Sequence, residues 1–231
     1  MNKKLGNLYV VSTPIGNLGD ITYRAVDVLK SVDFIAAEDT RHSRIILKHY
    51  NFKNSLLSYH ENNSSKQIPI ILKKINSGFN IALISDAGTP GISDPAYRLI
   101  RETLKNNIKI IPIPGVSALL AALMTAGLPT DRFIFEGFLP PKKGRKIRIE
   151  NIKNESATLI FYESPKRLIR TLNDLYKILG DRPAVVCREL TKLHEEFKRD
   201  TLKGLIDYYS NINPKGECVL LIGKDDINVY F

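Results

Sequence analysis

The stretch NIALISDAGTPGISDP, residues 80–95, decides the fold. Its apolar first half predicts a buried strand, and Asp94 followed by Pro95 is typical of the start of a helix. Gly88 and Gly91 lie in a loop that is longer than a strand-to-helix connection needs, since about two to six residues suffice. The stretch therefore predicts a strand–loop–helix unit of an α/β protein, with a loop that has a further task.

The rest of the first half repeats this alternation. Apolar runs predict strands over residues 8–12, 33–39, 55–60, 80–86 and 108–113. Helices are predicted over 20–32, 64–78 and 94–107, with Asp20 and Asp94 as the N-caps of the first and the last. Strands that are apolar throughout and alternate with helices predict a parallel sheet covered on both faces.

The second half begins after PGVSA, residues 114–118, which leads into a helix of small and apolar residues that ends near Gly127. Strands are predicted over residues 132–138, 158–164, 184–190 and 217–223, and helices over 164–180 and 200–211. The change of pattern predicts two α/β domains, residues 1–114 and residues 115–231.

Composition limits the class of protein. The 231 residues are 43% hydrophobic, and 34 Lys and Arg against 24 Asp and Glu give a net charge of +10. A basic surface suits a polyanion such as nucleic acid, and a chain rich in lysine throughout is an equally good explanation of the charge. Cys187 and Cys218 lie in apolar runs and are expected in the core rather than in a disulfide. With no signal peptide and no run of 18 apolar residues, we expect a cytoplasmic protein and no membrane partner.

The unusual loops all follow strands of the first half. They are STPIGNLGD (12–20), EDTRHS (38–43), SDAGTPGISDP (85–95) and PGVSA (114–118). Ligands of parallel α/β sheets bind outside the carboxyl ends of the strands, so these loops are expected to meet at one crevice. The glycine fingerprint of dinucleotide enzymes, the phosphate-loop lysine, the G-x-S-x-G motif of esterases and paired metal-binding histidines are all absent from the sequence, so no metal is expected.

Two charged stretches have two interpretations each. Glu38 and Asp39 end a strand, where they either act on a ligand or are solvated and cap a helix. FLPPKKGRKIR, residues 138–148, is either a solvated helix start or a patch that contacts phosphates beside the crevice, and the overall charge favours the patch.

Seven motifs in this order and spacing resemble one family. They are VSTPIGNLGDIT, AAEDTRHS, LISDAGTPGISDP, PIPGVSALLAAL, FEGFLP, FYESPKRL and CRELTK. The chain resembles the ribosomal RNA small-subunit methyltransferase I family from Leu8 to about Gly223. Relatives that methylate tetrapyrroles carry G-x-G-x-G-D where this chain has TPIGNLGD. Family members often carry a further C-terminal helical segment, whereas this chain stops soon after residues 217–223.

The resemblance implies a tetrapyrrole-methylase-like fold with a mostly parallel first sheet and a mixed second sheet. It implies S-adenosylmethionine in the cleft between the two domains, a homodimer, and methylation of the ribose 2′-hydroxyl of a cytidine in the decoding region of bacterial 16S rRNA. Naked 16S rRNA and the small ribosomal subunit both remain open as the substrate.

The resemblance assigns candidate cofactor residues, whereas the candidates for catalysis and RNA binding follow from their charge and from their places at predicted strand ends and in loops, which leave the general base open. Those for the cofactor are Pro14, Asp86, Gly88, Ile92, Ser117, Ala118, Tyr162, Pro214 and Gly216. Those for catalysis are Asp39, Glu163 and Lys166. Those for RNA are Arg41, Lys142, Lys143, Arg145, Arg167 and Lys192. A structural ion pair is the competing interpretation of Glu163 and Arg167, which are four residues apart at a helix start.

Two other functions compete with this one. One is a methyltransferase of the same fold that acts on a small substrate such as a tetrapyrrole, and both the first loop and the basic charge argue against it. The other is a non-enzymatic RNA-binding assembly factor, which would not require the intact loop of residues 85–95. A nucleotide-binding oxidoreductase is weaker still, because the glycine fingerprint is missing.

Overall fold

A computed structural model of the chain describes residues 5–226 and 228–231. The chain divides into two compact units, one ending at Ser117 and the other beginning at Ala118. Each unit is built around its own five-stranded sheet.

The first unit contains a parallel sheet. Its strands are β1 (Leu8–Val11), β2 (Phe34–Ala37), β3 (Ser55–Ser58), β4 (Ile81–Ile84) and β5 (Ile110–Ile113). Its helices are α1 (Tyr23–Ser31), α2 (Thr40–His49), α3 (Ser64–Asn76) and α4 (Ala96–Lys105). The strand order is β3-β2-β4-β1-β5, and all four pairings are parallel. All the loops that follow these strands therefore leave from one edge of the sheet.

Both faces of this sheet are covered, as the apolar strands predict. All four residues of β4 are buried: Ala82 and Ile84 pack in one cluster, Ile81 and Leu83 in another. Helices α1 and α2 contribute to the first cluster, whereas α3 and α4 contribute to the second. Because β4 lies between β2 and β1, the loop of residues 85–95 leaves from the middle of the sheet.

The second unit contains a mixed sheet. The elements of this unit are, in chain order, α5 (Ala118–Ala126), β6 (Phe133–Phe138), α6 (Arg145–Asn151), β7 (Thr158–Glu163), α7 (Pro165–Leu179), β8 (Pro183–Arg188), β9 (Glu196–Thr201), α8 (Leu202–Ser210) and β10 (Cys218–Ile222). The order is β6-β7-β10-β8-β9, in which β6 and β7 are parallel and the other pairs antiparallel. The parallel pair brings the loops after β6 and β7 to the same edge. The expected α/β fold with one parallel and one mixed sheet is confirmed.

Several element boundaries differ from the sequence prediction. Helix α1 begins later than expected, because Thr22 and not Asp20 is its N-cap and accepts a hydrogen bond from the Ala25 backbone N–H at 3.1 Å. Helix α2 was not predicted. Strand β9 was also missed, since EFKRDT has the charged, half-exposed character of an edge strand. Within the described residues, no helix is both long and apolar enough to cross a membrane.

Candidate functional site

Three loops at the carboxyl edge of the first sheet are joined by hydrogen bonds. Thr13 after β1 and Gly88 after β4 exchange backbone hydrogen bonds of 2.9 and 3.0 Å. The hydroxyl of Ser12 donates to the hydroxyl of Thr89 at 3.1 Å, and Thr89 donates to the carbonyl of Val116 at 3.0 Å. The loops after β1, β4 and β5 therefore form one connected rim, as the strand order requires.

Two glycines make this close approach possible. Gly88 has a φ of 74°, and a Cβ there would lie 3.3 Å from Cγ2 of Ile15. A Cβ at Gly115 would lie 2.9 Å from Cβ of Ser12, which is closer than real Cβ atoms come. A side chain at either position would separate the loops or strain the backbone.

The structure brings together most of the cofactor candidates of the first unit. Pro14 is buried next to the Thr13–Gly88 bridge, and Asp86 is partly buried two residues before Gly88. Ser117 follows Val116, whose carbonyl accepts from Thr89. Ile92 is 41% exposed, with its backbone N–H donating to the carbonyl of Thr89 at 3.4 Å.

A cluster of carboxylates lies at the ends of β2 and β4. Oδ1 of Asp86 accepts the backbone N–H of Asp39 at 2.8 Å. Burial raises the pKa of Glu38, and the negative charges of Asp86 and Asp94 raise it further. Burial also raises the pKa of Asp94, although it accepts from the backbone N–H groups of Ala96 and Gly91. Glu38 and Asp94 both line a hollow of about 370 Å³, so two partly buried carboxyl groups face the same space.

Asp39 is bound to Arg41. Its Oδ1 caps α2 by accepting the Arg41 backbone N–H at 2.8 Å, and both carboxylate oxygens accept from the guanidinium at 3.1 and 2.8 Å. These hydrogen bonds, led by the side-chain pair, hold the pKa of Asp39 well below its usual range. Arg41 itself is 86% exposed in its side chain, so the pair lies at the surface.

In the second unit, Glu163 at the end of β7 is only 3% exposed. One carboxylate oxygen accepts the Ser164 backbone N–H at 2.8 Å and pairs with Nε of Arg167 at 3.2 Å. The other accepts the hydroxyl of Thr171 at 2.5 Å. The ion pair of Glu163 and Arg167 expected at their i, i+4 spacing is therefore present.

Arg145 is also buried, at 4% exposure. Its Nε pairs with Asp174 at 2.7 Å, and a terminal nitrogen donates to the hydroxyl of Thr171 at 2.7 Å. Its neighbours Lys142 and Lys143 are exposed in the loop before α6, and Lys166 is exposed in the first turn of α7. The parallel pairing of β6 and β7 puts these three lysines at one edge of the second sheet.

A second polar cluster surrounds Gly216, which has a φ of 86°. Glu189 lies against Gly216, accepts the Glu217 backbone N–H at 2.9 Å and pairs with Lys192 at 2.9 Å. Lys192 also pairs with Glu217 at 2.7 Å, so it is bound within this cluster.

The other cofactor candidates of the second unit are Pro214, Tyr162 and Ala118. Pro214 is buried and lines a hollow of about 410 Å³ with Arg188 and Tyr208. The hydroxyl of Tyr162 accepts the backbone N–H of Leu119, one residue after Ala118, at 3.3 Å. This contact joins the start of α5 to β7.

Sequence reasoning missed the Ser12–Thr89–Val116 relay and the raised pKa of Glu38. Only the tendency of Ser and Thr to follow strands at such edges could have pointed to the relay, because its partners are 77 and 27 residues apart. In residues 5–226 and 228–231, no group of three or more His, Cys, Asp or Glu side chains could hold a metal ion.

Comparisons with known proteins agree with this geometry. A family model described as Tetrapyrrole (Corrin/Porphyrin) Methylases matches residues 7–206. Solved structures with the same fold include a diphthine synthase (TM-score 0.75, 14% identity, 94% of this chain and 90% of that chain). They also include a uroporphyrin-III-C-methyltransferase from Thermus thermophilus (TM-score 0.68, 18% identity, 95% and 94%). The class is therefore that of the tetrapyrrole-type methylases.

Closer relatives refine the class. A ribosomal RNA small subunit methyltransferase I of Synechocystis is 51% identical over 94% of this chain and 79% of its own length. The protein of the same name from Thermotoga maritima is 46% identical over 96% of this chain and 100% of its own length. The chain belongs to the ribosomal RNA small subunit methyltransferase I family.

Proposed function

We propose that this protein transfers a methyl group from S-adenosylmethionine to the ribose 2′-hydroxyl of a cytidine in 16S rRNA. The observation that carries the proposal is the identity of about half of the residues with small-subunit rRNA methyltransferases over nearly the whole chain. The intact loop rim, the basic charge and the exposed lysines of the second unit agree with it.

The residues present fit a cationic cofactor. S-adenosylmethionine carries an ammonium and a sulfonium, and the carboxyl groups of Glu38, Asp86 and Asp94 lie close enough together at this edge for their charges to interact, so a cation there would be stabilised. We propose that Asp86 and the backbone around Gly88 hold the cofactor in the first unit. The other proposed cofactor contacts are those of Pro14, Ile92, Ser117, Ala118, Tyr162, Pro214 and Gly216. When bound, the cofactor supplies an activated methyl group with a neutral leaving group.

The protein must position the hydroxyl, and the proton that the hydroxyl loses on methylation must pass to a base. We propose Asp39 for this task, because its carboxylate lies near the surface just after β2 and its hydrogen bonds to Arg41 hold the side chain in place. Lys166 is the second proposed catalytic residue, since it is exposed at the start of α7. Glu163 lies buried among its hydrogen-bond partners, so a role in holding structure fits it better than contact with substrate.

RNA contacts are proposed for Arg41, Lys142 and Lys143, which are exposed. Phosphate contacts of this kind give affinity and position the RNA without reading its sequence. Arg145, Arg167 and Lys192 were also candidates, but each is bound in an ion pair within the second unit. Their geometry supports an indirect role, in which they fix the loops that carry exposed cations.

A homodimer is proposed as well, on the resemblance to the family. Helix α5 presents Leu120 and Met124, one turn apart and both exposed, which a second copy could cover. Light scattering of the purified protein measures the mass directly, and a mass equal to the 26.1 kDa chain would contradict the dimer.

A methyl-transfer assay tests the proposed function. Labelled S-adenosylmethionine is offered with small ribosomal subunits and, separately, with naked 16S rRNA, both lacking the modification. Label on a cytidine 2′-oxygen is expected, and the better acceptor identifies the substrate form. Cofactor binding without label on either RNA would favour a small-substrate methylase, and RNA binding without cofactor binding would favour the assembly factor.

Matched variants locate the sites. Asp86→Ala is expected to weaken cofactor binding in calorimetry, and Asp39→Asn to lower kcat while the cofactor still binds. Lys166→Ala is compared with Lys177→Ala, since Lys177 is exposed about 16 Å further along α7. Equal losses in the two lysine variants would contradict a specific role of Lys166.

A further inference from the structure

The loop of residues 139–144 connects β6 to α6 and carries Lys142 and Lys143. Two guanidinium groups, one buried and one partly buried, bind its first carbonyls. Arg167 donates to the carbonyl of Leu139, and Arg145 donates to the carbonyl of Pro140 at 3.3 Å. The base of the lysine loop is therefore bound to the second unit by two charged side chains.

Both arginines are themselves bound through Thr171. This residue is fully buried; its hydroxyl accepts from Arg145 at 2.7 Å and donates to Glu163 at 2.5 Å. Glu163 in turn pairs with Arg167 at 3.2 Å, and Arg145 pairs with Asp174 at 2.7 Å. One hydroxyl thus links the two arginines that bind the loop.

Such a network is a costly way to build a core. Removing the Arg145 guanidinium and the Glu163 carboxylate from water, and the Arg167 guanidinium in part, carries a desolvation cost that apolar residues of similar size would avoid. Within the network each of these charged groups has hydrogen-bond partners. Two of the guanidinium N–H donors bind the backbone carbonyls of Leu139 and Pro140. The rings of Pro140 and Pro141 also fix the φ angles of these two residues, so the backbone just before Lys142 has little conformational freedom.

We propose that Glu163, Thr171, Arg145 and Arg167 form a positioning network that presents Lys142 and Lys143 to the phosphates of the RNA substrate. The inference rests on the proposed function, since it requires an RNA ligand. It gives the buried residues a task in the reaction without contact to the reacting atoms. Because a loop that is already ordered loses less entropy on binding, the network raises RNA affinity rather than the rate of methyl transfer.

Thr171→Val tests the network, and Thr171→Ser is its matched control. Valine keeps the shape and loses the hydroxyl, whereas serine keeps the hydroxyl. We expect Thr171→Val to raise Kd for 16S rRNA and KM by about fivefold to 150-fold, the range expected when two long side chains must be ordered on binding. The kcat at saturating RNA and the cofactor Kd are expected to stay at wild-type values, as are all values of Thr171→Ser.

Combination with Lys142→Ala and Lys143→Ala separates positioning from general support. The two lysine changes are expected to flatten the salt dependence of RNA binding by about one unit of slope each. If Thr171 acts through these lysines, Thr171→Val has no further effect on RNA Kd in the lysine-free background. An equal loss in both backgrounds, or no loss in either, would overturn the inference.

Arg167→Lys provides a second route should Thr171→Val fail to fold. Lysine can keep the ion pair with Glu163 but offers no fork to reach the Leu139 carbonyl as well. The same rise in RNA Kd and the same dependence on the two lysines are expected, and their absence would overturn the inference. If the wild-type protein neither binds nor methylates rRNA, the proposed function and the inference are both refuted. If the wild-type protein is active but the network variants bind RNA as tightly as it does, only the inference is refuted.

Discussion

Thr89→Val tests whether the hydroxyl relay holds the loops of the first unit together. The threonine hydroxyl accepts from Ser12 at 3.1 Å and donates to the carbonyl of Val116 at 3.0 Å. Valine fills the same volume, so the packing is kept and both hydrogen bonds are lost. Each such bond contributes about 1 kcal/mol net, and leaving the buried Ser12 hydroxyl without its partner costs about 1 kcal/mol more.

The expected loss is therefore about 3 kcal/mol of the free energy of unfolding, a large fraction of the ~5–15 kcal/mol typical of proteins. Urea denaturation followed by circular dichroism measures it, and an m-value of about 3 kcal/mol/M turns the loss into a midpoint shift of about 1 M. Thr89→Ser is the control, since it keeps the hydroxyl and loses only a methyl group, at a cost near 1 kcal/mol.

A second substitution makes the reasoning refutable. Ser12→Ala on top of Thr89→Val removes the hydroxyl that was left without a partner, so about 1 kcal/mol should be recovered. A double variant that is less stable than Thr89→Val alone would show that Ser12 acts independently of Thr89. Equal midpoints for Thr89→Val and Thr89→Ser would show that the relay contributes nothing.

Three further results are expected. Because the pKa of Glu38 is raised in the folded protein, its contribution to stability is present below the unfolded pKa near 4.5 and is lost as the pH rises through the folded pKa. Glu38→Gln should therefore have a higher melting temperature than the wild type at neutral pH and the same melting temperature below about pH 4. Equal melting temperatures at both pH values would contradict this reasoning. Gly216→Ala places a residue with a side chain at a positive φ and displaces Glu189, so urea denaturation should show a loss of about 1–3 kcal/mol in the free energy of unfolding. If the additional change Glu189→Ala recovers part of this free energy, that part is due to the clash with Glu189. Burial raises the pKa of Cys187 and of Cys218 to about 12, so neither thiol should react with iodoacetamide at pH 8 until the protein unfolds, and fast labelling of the native protein would contradict their burial.

Much of the fold could be predicted because its signals are local. The apolar run of residues 80–84 predicts the bounds of β4 to within two residues, because this strand is buried on both faces. The signal of residues 94–95 predicts the start of α4 to within two residues, because Asp94 accepts the backbone N–H of Ala96. Strand β9 could not be predicted, because EFKRDT is polar and becomes a strand only through pairing with β8. Thr22 displaced Asp20 as a cap because the loop before α1 first makes a short 3₁₀ turn over Leu18–Asp20.

The candidate site was predictable in position but not in detail. Parallel strands put the loops of residues 12–20 and 85–95 at one edge, which the sequence pattern indicates. Which side chains are exposed there depends on partners distant in sequence: Arg145 is buried by Thr171 and Asp174, 26 and 29 residues away. A sequence with five cations in residues 138–148 cannot reveal that one of them points inward.

The sequence by itself determined the alternation of strands and helices, the loops rich in Gly and Pro, and the family. These follow from apolar periodicity, backbone preference and identity, which are properties of short stretches. Only the tertiary structure decided the raised pKa of Glu38, the burial of Arg145 and the burial of Glu163. The physical reason is that desolvation and charge interactions depend on the distances between groups that the chain brings together only when it is folded.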